Sequence, residues 1–289
     1  MMAHGRNHYS NATYRRLRLL KRAGLYAGVG LVLAYMLFPY YWAIISSTKT
    51  RENLYSFSLL PSLDFSNYIS LFHNPIFIGA IVNSALVAFS SSLISLVISI
   101  LAAYALGRMQ FPPARIVLIC VLMISVFPQV VVLSGMFEVI GWLGLYNSPA
   151  ALIFSYLLLV LPFTTWVLTS FIRDLPQELE EAALIDGCSR LRILTHVLLP
   201  LMGPAIASTG LLAFILAWNE FLFALTFILT DENRTVPVAM GLLTGSSRYE
   251  YPFGQVMAAS VTVTLPLLVL VLIFQRKIVA GLTAGAVKG

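Results

Sequence analysis

The sequence predicts an all-α membrane protein with six transmembrane helices and a cytoplasmic helical hairpin between spans four and five. Three observations support this fold class. The 289-residue chain is 59% hydrophobic and only 10% charged, whereas soluble domains keep about a quarter of their residues charged. It contains six apolar runs of membrane-spanning length, of which only the fifth holds a charged residue, and its basic residues are concentrated in alternate loops.

The six apolar runs set the order of the elements, because a helix crosses the hydrocarbon core with roughly 20 residues. The predicted spans are 23–45, 75–106, 116–137, 148–171, 203–229 and 255–274. They form one transmembrane domain, 23–274, between an N-terminal tail, 1–22, and a C-terminal tail, 275–289. The first run is too long to be the apolar core of a cleaved signal peptide.

The distribution of basic residues predicts the orientation, since these residues stay on the cytoplasmic side of short loops. With the N-terminus inside, that side receives fourteen of the eighteen Lys and Arg residues. Both termini are therefore predicted to be cytoplasmic. The net charge of +6 reports this topology, and no nucleic-acid partner is expected.

Five of the twelve acidic residues fall in one loop, 174–200, between spans four and five. Asp174 is predicted to cap a first helix, which places three glutamates at the positive end of the helix dipole. Gly187 is expected to end that helix, because glycine readily adopts the left-handed conformation of a C-cap. Ser189 then caps a second helix, which is predicted to end at Pro200.

The first helix of this hairpin is predicted to offer a docking surface. Leu179, Ala182 and Ala183 share one face by helical spacing, and small side chains permit close approach of a partner's backbone. The neighbouring carboxylates offer charge to a basic partner. The alternative is an amphipathic hairpin that lies on the membrane, although an acidic surface is poorly matched to an anionic inner leaflet.

Span five carries three candidate residues for contact with a solute, Trp218, Asn219 and Glu220. Amide and carboxylate groups form hydrogen bonds with hydroxyls, and an indole ring can cover the apolar face of a sugar. The alternative is that Glu220 only caps an interhelical hydrogen-bond network or faces water near the outer surface.

Signatures of catalysis are missing, since the sequence has no HExxH, GxSxG, P-loop or dinucleotide-binding motif. The chain is therefore not expected to be an enzyme, and another chain must supply any ATP site. The two cysteines and four histidines are scattered without metal-ligand spacing. No metal site and no bound cofactor are predicted.

The hairpin sequence EAALIDGCSRLRILTHVLLP resembles the EAA signature of binding-protein-dependent ABC importer permeases. That signature is Glu-Ala-Ala, three residues, Gly, nine residues, then Ile-x-Leu-Pro. Both spacings agree, and the one departure is Val for Ile. The matching residues are Glu181, Ala182, Ala183, Gly187, Val197, Leu199 and Pro200. The segments AAYALGRMQFP, WNEFLFAL and QRKIVAGLTAGAVKG extend the similarity to the smaller maltose-type and trehalose-type permease subunits, over nearly the whole chain.

The resemblance implies that the hairpin is a coupling helix seated in a groove of an ATPase subunit. The docking residues would be Glu181, Ala182, Ala183, Asp186, Gly187 and Cys188. The C-terminal tail would reach between two ATPase subunits, through Gly281, Leu282, Thr283, Gly285 and Lys288. The outer loop 231–251 would contact an extracytoplasmic sugar-binding protein.

By the same resemblance, the chain would pair with a second homologous permease on an ATPase homodimer that binds ATP and Mg, in a bacterial inner membrane. The expected substrate is an α-linked disaccharide such as trehalose, maltose or sucrose. Two other functions stay open at this point. One is a permease for glycerol phosphate, and the other is a secondary sugar carrier, which would transport without ATP.

Overall fold

The computed structural model describes residues 11–50, 53, 56–109, 112–243 and 252–284, with side chains only between residues 18 and 275. Every regular element in this part of the chain is helical, as the sequence predicts. Four of the described helices are long and apolar enough to cross a membrane, and the count rises to six if each of two bent helix pairs is one span. The all-α, multi-span fold class is thereby confirmed.

The chain divides into two compact units, one formed by 1–68 and 253–261 and the other by 69–252 and 262–289. The helices begin with α1 (Asn11–Ser47) and α2 (Ser66–Phe72). They continue with α3 (Pro75–Gly107), α4 (Ala114–Val126), α5 (Gln129–Trp142), α6 (Pro149–Asp174), α7 (Glu178–Ile185), α8 (Arg190–Ile193), α9 (Leu199–Leu201), α10 (Gly203–Trp218), α11 (Leu222–Phe227), α12 (Val236–Gly241) and α13 (Phe253–Ala284). A π-helical turn (Leu194–Leu198) joins α8 to α9, and a 3₁₀ turn (Asp231–Asn233) precedes α12.

In the first unit, the end of α1 is fixed by a side chain from the following helix. The amide nitrogen of Asn67 donates to the carbonyl oxygens of Ser47 and Lys49, each at 3.0 Å. These carbonyls lie at the C-terminus of α1, where backbone acceptors have no partner within the helix. Asn67 therefore supplies the hydrogen bonds that α1 itself cannot make.

In the second unit, buried hydroxyl groups join α3 to α6. The Thr164 hydroxyl lies 2.7 Å from the hydroxyls of Ser95 and Ser99, and Ser99 also lies 2.9 Å from the hydroxyl of Thr165. Apolar side chains gain little by leaving lipid for another helix, so small side chains and interhelical hydrogen bonds hold membrane helices together. This role explains Ser95 and Ser99 of α3.

The predicted third span, 116–137, is formed by two helices that meet at its proline. Its two parts, α4 and α5, meet at an angle of 100°. Pro128 has no N–H to continue the helix, and Phe127 before it is extended, with a ψ of 133°. The hydropathy of this run is that of a span, but the proline divides it.

The predicted fifth span, 203–229, is divided as well. Helix α10 ends at Trp218 and α11 begins at Leu222, so Glu220 lies in the break and not along one continuous helix. At its N-terminal end, α10 is bent by 79° from the preceding segment, Arg190–Leu201. The chain thus turns sharply as it passes from the hairpin into the membrane.

The described part of the predicted outer loop, 231–243, folds back against α3. The side-chain amide of Asn83 donates to the carbonyl oxygens of Glu232, at 2.7 Å, and Arg234, at 3.0 Å. The remaining part of that loop, 244–251, lies outside the described residues. The loop is therefore attached to the same helix that forms the core of the second unit.

A test of the close packing between α3 and α6 is provided by Gly107. A Cβ at this position would clash with Cγ2 of Ile172. Ile172 is fully buried and, as a β-branched residue in a helix, has almost no alternative rotamer. Gly107→Ala should destabilise the purified chain by about 1 to 3 kcal/mol, the usual range for overpacking.

Gly79 is the matched control, because it lies in the same helix and a Cβ there would meet no atom within 4 Å. Gly79→Ala should leave the chain as stable or raise its stability, since alanine favours helix more than glycine does. Thermal unfolding in detergent measures both variants. Equal melting temperatures for the two would contradict the close approach at Gly107.

Candidate functional site

The first helix of the hairpin, α7, begins later than predicted. Asp174 is the last residue of α6 and does not cap α7. The reason is Pro176, which disfavours the helical conformation for the residue before it, and Leu175 is extended, with a ψ of 145°. The first turn forms instead on Gln177, whose carbonyl accepts hydrogen bonds from the N–H groups of Glu180, at 2.9 Å, and Glu181, at 3.1 Å.

The turn between the two hairpin helices is formed as predicted. Gly187 has a φ of +76°, a conformation that costs glycine little and other residues more. Its N–H donates to the carbonyl of Leu184, and the N–H of Cys188 donates to the carbonyl of Ala183, both at 3.0 Å. This pair of bonds is the Schellman motif, and it fixes the angle at which the chain leaves α7.

The second hairpin helix starts where predicted but continues further. The side chain of Ser189 accepts a hydrogen bond from the N–H of Arg192, at 3.4 Å. Pro200 does not end the helix, because it stands in the first turn of α9, where a residue without an N–H is tolerated. A π-helical turn precedes it, in which the N–H of Leu199 bonds to the carbonyl of Leu194.

The two alanines of the EAA sequence point in different directions. Ala182 is exposed, but Ala183 is only 8% exposed and packs against the chain's own Ile193 and Leu194. The expectation that both alanines share one docking face is therefore wrong, since residues adjacent in a helix lie about 100° apart. Leu179, the third predicted member of that face, is exposed.

The outward face of α7 consists of residues spaced by three and four positions. Its members are Glu178, Glu181, Ala182, Ile185 and Asp186, all of them exposed, and we call this set the outward face. Ile185 is 87% exposed, so it adds apolar surface to this face. Sequence reasoning missed it, although its spacing from Glu181 and Ala182 was the available signal.

A second residue that the sequence reasoning missed, Arg108, fastens α7 to α3. Its Nε lies 2.8 Å from Oε1 of Glu180, and the two side chains are only 4% and 15% exposed. Its Nη2 donates to the carbonyl oxygen of Leu175 at 2.5 Å. In return, Nη2 of Arg173 on α6 donates to the carbonyl oxygen of Leu106 on α3, at 2.9 Å. The available sequence signal was an arginine and an acidic loop on the same side of the membrane.

In the other candidate group, the Glu220 carboxylate is fully engaged within the chain. The residue is 6% exposed. Its Oε1 accepts from the Phe223 N–H, at 2.8 Å, and from Nε2 of Gln129, at 2.7 Å, and its Oε2 accepts from the Ala224 N–H, at 3.1 Å. This carboxylate caps α11 and ties it to the start of α5, which is the network that was the alternative to a direct contact with solute.

The two neighbours of Glu220 differ in exposure. Trp218 is 4% exposed and stacks on Phe214 with ring centroids 5.6 Å apart. Asn219 is exposed, and its side-chain nitrogen donates to the carbonyl of Ile215 at 2.8 Å. Of the three predicted solute contacts, Asn219 alone presents its side chain at the surface of this chain.

The predicted C-terminal contacts lie on and beyond the last helix. Helix α13 continues past the predicted end of the sixth span at residue 274, and its backbone includes Gly281, Leu282 and Thr283. Gly285 and Lys288 lie outside the described residues. Within the described residues, no group of three or more His, Cys, Asp or Glu side chains could hold a metal ion.

Comparison with known proteins gives a consistent set of relatives. Residues 95–283 match a family described as the binding-protein-dependent transport system inner membrane component. The trehalose/maltose transport system permease protein MalG of Thermococcus litoralis is 42% identical, over 95% of this chain and 99% of that protein. The trehalose transport system permease protein SugB of Mycobacterium tuberculosis is 37% identical, over 90% of this chain and 95% of that protein.

Solved structures agree with this fold. The crystal structure of a bacterial ABC transporter involved in the import of the acidic polysaccharide alginate matches with a TM-score of 0.76, at 21% identity, over 93% of this chain and 98% of that chain. The family match and the two relatives define the class of the chain, which is a membrane subunit of an ABC transporter. The chain belongs to the binding-protein-dependent transport system inner membrane component family, and it is a carbohydrate ABC importer permease. The secondary-carrier alternative is thereby discarded.

A stability test separates the roles of Glu220 and Asn219. Glu220→Ala should destabilise the chain by about 1 to 3 kcal/mol for each buried donor left without an acceptor, because Gln129 and two N–H groups of α11 lose their partner. Glu220→Gln should recover part of this loss, since it keeps one acceptor oxygen. Asn219→Ala should change the melting temperature little. A Glu220→Ala chain as stable as the Asn219→Ala chain would show that the cap is unimportant.

Proposed function

We propose that this chain is one of two permease subunits in an importer that takes up an α-linked disaccharide, with ATP and Mg bound by a separate ATPase homodimer. The observation that supports this substrate class is the sequence identity to the trehalose/maltose and trehalose permeases over nearly their full lengths. The second subunit would be a homologous permease, so that each chain forms half of the translocation pathway. A glycerol-phosphate permease is the remaining alternative.

The part of the outward face that follows the first turn of α7, from Glu181 to Asp186, is the proposed docking site for the ATPase. It offers Glu181 and Asp186 as charges for basic groups, with exposed Ala182 and Ile185 between them. An ATPase groove that covers Ile185 removes apolar surface from water, which is favourable at about 25 cal/mol per Å². Glu181 would gain more than an exposed ion pair does, because the partner shields it from solvent.

The proposed energy transfer is mechanical. Closure of the ATPase dimer around ATP would displace the two docked hairpins, and each permease would then switch between inward-facing and outward-facing states. The fixed turn at Gly187 and the buried Ala183 support this role, because they hold the hairpin in one shape as it moves.

On the pathway, Asn219 is the proposed sugar contact, since its side chain is exposed at the break between α10 and α11. Trp218 and Glu220 would support it from behind, the first by packing and the second by holding the break in place. The outer loop 231–251 is the proposed contact with an extracytoplasmic sugar-binding protein. The C-terminal residues 281–289 are the proposed contact between the two ATPase subunits.

Substrate and pathway are tested together in proteoliposomes that contain the whole complex and its binding protein. Trehalose or maltose should stimulate ATP hydrolysis and accumulate inside the vesicles. Asn219→Ala should raise the half-maximal sugar concentration about three- to tenfold, the effect of one lost hydrogen bond, with an unchanged amount of assembled complex. Stimulation by glycerol phosphate and not by either disaccharide would overturn the substrate assignment.

Docking is tested by reversing one charge. Glu181→Lys should reduce the ATPase that co-purifies with the permease by at least about tenfold, which corresponds to about 1.4 kcal/mol of binding free energy. Glu178→Lys is the matched control, because Glu178 lies one turn earlier on the same outward face. It should retain most of the ATPase.

The native cysteines provide a second readout of docking. Cys188 directly follows Gly187 and is half-buried, whereas Cys120 is exposed and must be replaced by Ser. A bulky maleimide should label Cys188 readily in membranes without the ATPase and slowly in the intact complex. Equal labelling rates in the two preparations would mean that the hairpin is not the docking surface.

A further inference from the structure

The hairpin has only a short covalent connection to the membrane helices at its first end. Leu175, Pro176 and Gln177 lie between the end of α6 and the start of α7, and Leu175 is extended. A connection of this kind can transmit a pull along the chain, but a sideways push on α7 would rotate it about the extended residues. Transmission of such a push to the spans requires a second attachment.

Arg108 is placed to be that attachment. Its guanidinium contacts Glu180 of α7 and the carbonyl oxygen of Leu175, the residue about which α7 would rotate. The contact with Leu175 is a hydrogen bond, and the contact with Glu180 is an ion pair without hydrogen-bond geometry. A guanidinium is planar and rigid, so two simultaneous contacts also fix its orientation. Both side chains of the ion pair are largely buried, where water competes little for either charge.

The backbone next to Arg108 is held by two further contacts. The preceding Gly107 lies so close to Ile172 that no Cβ would fit, and Arg173 donates to the carbonyl of Leu106. The cytoplasmic ends of α3 and α6 therefore form one block immediately beside Arg108. A force applied to Glu180 passes through one ion pair into both helices.

We propose that Arg108 is a positioning residue that transmits displacement of the hairpin to α3 through its contacts with Glu180 and Leu175. This inference rests on the proposed function, in which the ATPase moves the hairpin. It assigns neighbouring glutamates different tasks: Glu181 faces the partner, and Glu180 faces Arg108. Loss of Arg108 should leave the ATPase docked and active, but displacement of the hairpin should no longer be transmitted to the translocation pathway.

The experiment measures sugar transported per ATP hydrolysed in proteoliposomes that contain the complete complex. Arg108→Gln and Glu180→Gln should each lower this ratio by at least about fivefold, within the range of energetic coupling carried by single residues. Arg108→Lys keeps the charge and loses the fork, and should give an intermediate ratio. The ATPase should co-purify with all three variants. Arg115→Gln, at an exposed position near the start of α4, should behave as the unaltered chain does.

The ratio separates transmission from a merely structural role, because a structural defect reduces the amount of complex and not the transport per ATP. An unchanged ratio in assembled Arg108→Gln or Glu180→Gln complexes would overturn the proposal. Failure of all three Arg108 and Glu180 variants to assemble would also overturn it and assign the ion pair to folding.

Failure of the proposed function itself gives a different result. In that case the unaltered complex shows no ATP-dependent sugar uptake, or Glu181→Lys retains its ATPase. If the unaltered complex couples normally and Glu181→Lys releases the ATPase, the Arg108 variants test transmission alone.

Discussion

Backbone groups within the hydrocarbon layer have no water to bond, and this constraint governs where the spans of the permease can break. The break between α10 and α11 exposes two N–H groups, and the Glu220 carboxylate accepts both. The same carboxylate accepts from Gln129, the first residue after the break between α4 and α5. A buried charge is tolerated here because three donors converge on it. The two broken spans are thus held by one shared acceptor.

Helix α3 connects the two faces of the second unit. Near its N-terminal end Asn83 holds the described part of the predicted outer loop, and at its C-terminal end Arg108 holds the hairpin. Between them, the hydroxyls of Ser95 and Ser99 bind it to α6. These contacts span about 38 Å of continuous helix. A continuous helix of this length, packed along most of its course, can transmit a displacement from one end of the unit to the other.

The sequence predicts best where the physics is local. Hydropathy identifies the spans, and Gly187 and Ser189 end and begin helices because their own backbone or side chain performs that task. The sequence is a poorer guide where residues far apart in the chain determine the burial or the hydrogen bonds of a side chain. The burial of Ala183 depends on residues that follow the turn, and the engagement of Glu220 depends on Gln129, far earlier in the chain. Pro128 is an intermediate case, since its effect is local but hydropathy alone overlooks it.

The exposed Ile185 has a consequence for the supply of subunits. An exposed apolar side chain on a helix with no partner bound adds to the surface that chaperones and proteases recognise. Under the proposed docking of α7, a permease made in excess of its ATPase would carry this side chain uncovered, whereas an assembled one would hide it. The lifetime of the permease chain would then depend on the amount of ATPase available. Exposure of Ile185 would in this way keep the number of permease chains matched to the number of ATPase subunits.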